Sequence, residues 1–67
     1  MIQLTVNGET RNFDQPINIA QFINQNNLHG KRIAIECNGE IVPRSQYADQ
    51  FLSDGDRLEV VVAVGGG

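Results

Sequence analysis

The sequence predicts an α+β domain, a mixed sheet of four to five strands packed on one main helix. Three observations lead there. Apolar residues alternate at period two in "IQLTV", "RIAIECN" and "RLEVVVAV", Asn-Gly pairs follow the first two of these segments, and a single stretch, "INIAQFINQNNL", carries apolar residues at helical spacing instead. Strands and one amphipathic helix in this order favour a sheet with a helix layered on one face.

Each element follows from its residues. In residues 2–6, Ile2, Leu4 and Val6 share one face against Gln3 and Thr5, so this is the first strand. Asn7-Gly8 accepts the positive φ angles of a tight hairpin, and "ETRNF" returns as the second strand with Phe13 turned inward. After Pro16, the stripe of Ile19, Phe22, Ile23 and Leu28 predicts a helix over about 19–28 with Asn18 as N-cap. His29 and Gly30 are expected to end it, a polar or cationic group at the C-terminus followed by a residue suited to the left-handed cap. Ile33, Ile35 and Cys37 define the third strand, and Asn38-Gly39 turns into the short strand "EIV". Pro43 closes it for lack of an N–H, Ser45 is expected to cap one helical turn, and Tyr47, Phe51 and Leu52 are expected to anchor that segment. "SDGD" makes a last turn before a final strand with Leu58, Val60 and Val62 on one parity.

Composition narrows function. A chain of 67 residues buries one thin core and has no room for a deep catalytic cleft. Net charge is −3, and no run of basic residues exceeds Lys31-Arg32, which argues against nucleic acid and for docking on a basic protein patch. No apolar run approaches a membrane span and no leader is apparent, so a soluble, cytoplasmic protein without a membrane partner is expected. A single cysteine excludes an internal disulfide, and no metal site is expected. Alternation places Cys37 in the core as an inert thiol, His29 has no catalytic companions, and Asp54 and Asp56 read as turn residues, so no catalytic residue is assigned.

The end of the chain, "VVVAVGGG", carries the functional argument. The division expected is a folded domain over 1–64 and a flexible glycine tail over 65–67. Val64 to Gly67, extended, reach roughly 13 Å at about 3.3 Å per residue. Glycines without Cβ atoms pass a narrow channel and leave a terminal carboxylate open to attack. That carboxylate is ionised at neutral pH and a poor electrophile, so acyl chemistry on it needs activation.

The tail, together with "NGEIVPRSQYAD" (38–49) and "LSDGDRLEVV" (52–61), resembles the ThiS-type sulfur carriers of thiamin biosynthesis, ubiquitin-like β-grasp proteins ending in Gly-Gly. Over nearly the whole chain the resemblance implies a carrier, not an enzyme. It implies that Gly67 is adenylated by a ThiF-like activating enzyme using ATP, with no cofactor bound by the chain itself. Sulfur from a persulfide donor protein then makes a thiocarboxylate, and Gly65 and Gly66 enter partner active sites, including a ThiG-like thiazole synthase. Related domains dock through the outer sheet face, which implies a partner surface at Val61 and Ala63, with Ala34 beside them, and a contact for Arg44. The alternatives are a carrier for molybdopterin or another sulfur-requiring pathway, a ubiquitin-like protein modifier, which would form isopeptide adducts, and a passive binding module, which would not need Gly66 and Gly67.

Overall fold

The computed structural model describes residues 1–28 and 30–63. Strands β1 (Ile2–Val6), β2 (Glu9–Phe13), β3 (Ile33–Cys37), β4 (Glu40–Ile41) and β5 (Arg57–Val62) form one five-stranded sheet in the order β2-β1-β5-β3-β4, with helix α1 (Ile19–Gln25) on one face. β1 and β5 run parallel at the centre, and the other neighbours are antiparallel. The mixed sheet on one helix is the architecture the sequence predicts. The end-of-helix role of His29 and the tail over 65–67 lie outside the described residues.

Both Asn-Gly pairs make the expected turns, with φ of 50° and 84° at Asn7 and Gly8 and of 53° and 88° at Asn38 and Gly39. The core lies between sheet and helix, and its least accessible side chains are Phe22, Leu4, Ile19, Ile35 and Leu58. Phe13 is half-buried and meets Phe22 edge-on, their ring centroids 6.4 Å apart. Cys37 is buried on the inner face beside this cluster, as alternation requires.

Helix α1 starts where the sequence places it. The Asn18 side chain accepts from the Gln21 N–H at 2.7 Å while the Gln21 side chain accepts from the Asn18 N–H at 2.9 Å, a reciprocal capping box. The remaining early donors are taken by the 47–52 segment, with Ile19 N–H donating to the Gln50 carbonyl and Ala20 N–H to that of Tyr47.

The helix ends a turn earlier than predicted, at Gln25. Asn27 takes the left-handed conformation (φ 58°), its N–H donates to the Asn24 carbonyl, and Leu28 N–H donates back to Ile23. This is a Schellman closure with Asn where glycine is commoner, and Leu28 belongs to the closure and not to the helix. The Arg11 guanidinium, reaching from β2, donates to the Asn26 side-chain oxygen at 2.8 Å and ties the helix end to the sheet.

Two further expectations change. The turn after β4 is a 3₁₀ turn over Arg44–Gln46 with Pro43 at its N-cap, and Ser45 lies inside it and caps nothing. The turn starts earlier because the Pro43 carbonyl accepts from Gln46 N–H. Leu52 is buried and Tyr47 half-buried as predicted, but Phe51 is 58% exposed. Residues 50–52 run antiparallel beside 17–19 through a bridge at Asn18 and Phe51. In extended backbone, successive side chains point to opposite sides, so seating Leu52 inward turns Phe51 out. No described helix is long and apolar enough to cross a membrane.

Candidate functional site

The site is built around the end of β5. After Val62 the strand hands the chain out beside the start of β3, where Ala63 N–H donates to the Arg32 carbonyl at 2.8 Å. Register decides what surrounds this exit. Ala34 lies opposite Val61 and Ile33 opposite Val62. Leu58 faces the core, so Val61 and Ala63, at odd offset from it, fall on the outer face, and Val61 is 60% exposed.

Val61 and Ala63, expected to share a patch, and Arg44, expected to make a contact of its own, line one shallow depression of about 220 Å³ together with Ala34, Arg32 and Ile33. The 3₁₀ turn after β4 delivers Arg44 to it. Sequence reasoning did not single out Arg32, although alternation puts it on the face of Ala34. Its placement at the rim depends on β3 pairing with β5, a long-range contact. Farther down the same face Glu36 stands opposite Glu59, with Arg57 two residues beyond Glu59, so charged side chains border the patch on that side.

Asp54 accepts from the Gln3 N–H at 2.8 Å, and Asp56 accepts from the Ser53 N–H at 2.8 Å and the Asn38 side chain at 3.0 Å, so both carboxylates organise backbone. Among the described residues no group of three or more His, Cys, Asp or Glu side chains is placed to hold a metal. Burial pushes the Cys37 thiol above its ordinary range, helped by the Asp56 carboxylate. A thiol held protonated is a poor nucleophile and unsuited to relaying sulfur. Gly65, Gly66 and Gly67 lie outside the described residues.

The five-stranded mixed sheet packed on one helix defines a ubiquitin-like β-grasp domain, with a small apolar patch on the outer sheet face at the end of β5. The family model described as "ThiS family" matches residues 4–67, and the chain belongs to that family. The crystal structure of the thiamine biosynthesis protein ThiS from Geobacter metallireducens superposes with a TM-score of 0.83 at 28% identity, covering 98% of this chain and 100% of that one. A thiazole synthase from Paramagnetospirillum magneticum is 39% identical over 66 residues, which are 98% of this chain but only 20% of that protein. The uncharacterized protein ycf40 of Pyropia yezoensis is 35% identical over 66 residues, 98% of this chain and 93% of that protein. Family membership and these neighbours support a sulfur-carrier role connected with thiamin biosynthesis.

Proposed function

We propose that the chain carries sulfur for the thiazole ring of thiamin on the carboxylate of Gly67. The observation that carries this reading is the family match, which runs through Gly65-Gly66-Gly67 on a β-grasp domain. A ThiF-like enzyme brings the carboxylate oxygen onto the α-phosphorus of ATP, pyrophosphate leaves, and the acyl adenylate now has a good leaving group. A persulfide sulfur from a donor protein displaces AMP to give an acyl disulfide, and a second thiol attacks the donor-side sulfur, forming a disulfide with it as the thiocarboxylate leaves. The chain binds no cofactor of its own in this cycle, since ATP belongs to the partner.

The thiazole synthase relative supports a ThiG-like enzyme as receiver. Gly65 and Gly66 thread the partner's channel because a backbone without Cβ atoms can pass where larger residues cannot. Val61, Ala63 and Arg44 form the docking surface beside the tail. The presence of hydrophobic Val61 on an outer face, next to small Ala34 and Ala63, supports that assignment.

Intact-protein mass spectrometry tests the reading. The full chain is incubated with a ThiF-type enzyme, ATP and a persulfide donor, beside a chain lacking Gly67. A mass rise matching replacement of one oxygen by sulfur, confined to the full chain, is the expected result. No rise with an enzyme competent on another carrier moves the assignment to a protein modifier or a passive module.

A further inference from the structure

We infer that the groove beside the tail exit is the seat of an acidic, apolar segment of the partner protein. Its floor is apolar, made by Ile23 and Leu28 of the closed helix end, Ile33 at the start of β3 and the half-buried Tyr47. Its rim is cationic, made by Lys31, Arg32 and Arg44. The cavity is about 310 Å³ and adjoins the outer-face depression, with which it shares Arg32, Ile33 and Arg44.

Charge decides the occupant. The chain as a whole is at −3, with eight acidic residues to five basic ones, which suggests a basic partner. Yet three of the five cations gather at this end, and no carboxylate lines either depression among the described residues. The other two cations lie elsewhere, Arg11 on the helix end at Asn26 and Arg57 near Glu36 and Glu59. Local charge steers a docking encounter within roughly a Debye length, about 8–10 Å, so the surface that meets the tail exit sees a positive rim and not the net charge. Apolar floor and cationic rim together fit a segment in which carboxylates alternate with large apolar side chains. Seated there, it places the partner's channel next to Ala63, which is hydrogen-bonded to Arg32.

This inference rests on the carrier reading for the partner's identity, and two measurements separate the failures. Association of the full chain with a ThiF-type enzyme is followed by stopped flow across salt concentrations, comparing wild type, the triple variant K31E/R32E/R44E, its neutral version K31Q/R32Q/R44Q, and R57E as control, with effects compared per reversed charge. The groove reversal is expected to slow association on the order of tenfold or more at low salt and to flatten its salt dependence, with the neutral version between and the control near wild type. In parallel, the 15N-labelled full chain is titrated with a peptide of alternating Glu and Leu and with one of alternating Lys and Leu. Amide shifts at Leu28, Lys31, Arg32 and Tyr47 with the Glu peptide alone, lost in both triple variants, are the expected result. Groove and control reversals with equal effects, or matching shifts with both peptides, would overturn the inference. Wild type that gains no sulfur with the enzyme overturns the carrier reading instead, and the peptide titration still decides the groove.

Discussion

The side chain of Asn7 closes both backbone groups of Val60. The Val60 N–H donates to Asn7 Oδ1 at 2.7 Å, and Asn7 Nδ2 donates to the Val60 carbonyl at 3.2 Å. β1 ends at Val6, so this side chain extends the parallel β1–β5 ladder one step beyond its backbone. Asn38 does the same work from the opposite side of β5, where Arg57 N–H donates to Asn38 Oδ1 at 2.9 Å. The two hairpin turns therefore also hold the strand that leads to the tail.

Replacing Asn7 by Gly keeps the left-handed turn and removes only the clamp. Loss of two hydrogen bonds near the surface is expected to cost about 1–2 kcal/mol, and Asn7→Ala more, because Ala also resists the positive φ. Urea unfolding of both variants checks the order, and an Asn7→Gly chain as stable as wild type would remove the clamp from the account.

The capping box predicts a smaller, local effect. Asn18→Ala is expected to lower stability by about 1 kcal/mol and Gln21→Ala by less, since Gln21 supplies only the return bond. Hydrogen exchange at Gln21, whose N–H the Asn18 side chain accepts, should accelerate in Asn18→Ala first.

Phe51 and Leu52 are neighbours with opposite exposure, and their truncations should differ accordingly. Leu52→Ala is expected to cost about 2–5 kcal/mol by opening a cavity, while Phe51→Ala stays within about 1 kcal/mol. Thermal unfolding of the pair measures the contrast, and equal losses would mean that Phe51 is packed.

Cys37 makes stability depend on alkaline pH. Its folded thiol is pushed above the ordinary value of 9.0, first by burial and then by the Asp56 carboxylate. The unfolded chain then ionises first, so the contribution is fully present below the ordinary value and is lost as pH rises from there through the folded value. Wild type should lose stability over that range more steeply than Cys37→Ala when both are unfolded in urea at stepped pH. Parallel slopes would show that the thiol titrates alike in both states.

Much of this molecule was legible residue by residue. Period-two alternation assigned Leu4, Ile35 and Leu58 to the core, Asn-Gly pairs marked both hairpins, and Asn18 marked the helix start, because each signal depends on neighbours a few positions apart. The helix end was misplaced because Asn27 was not read as a left-handed residue, although Asn adopts that conformation more readily than most. Phe51 was misplaced because which of two adjacent apolar residues turns inward is decided by the bridge to Asn18, and hydropathy ranks both alike.

Local spacing and the order of short motifs carry the order of the elements, most of their buried faces and the family of the chain. Tertiary structure alone decided what stands at the tail exit. Lys31, Arg32 and Arg44 come together with Val61 and Ala63 only when β5 pairs with β3 and the 3₁₀ turn packs beside the helix end. The clamp between Asn7 and Val60 likewise spans 53 positions. Periodicity reports which way a side chain turns, and it carries no information about which distant strand will lie beside it.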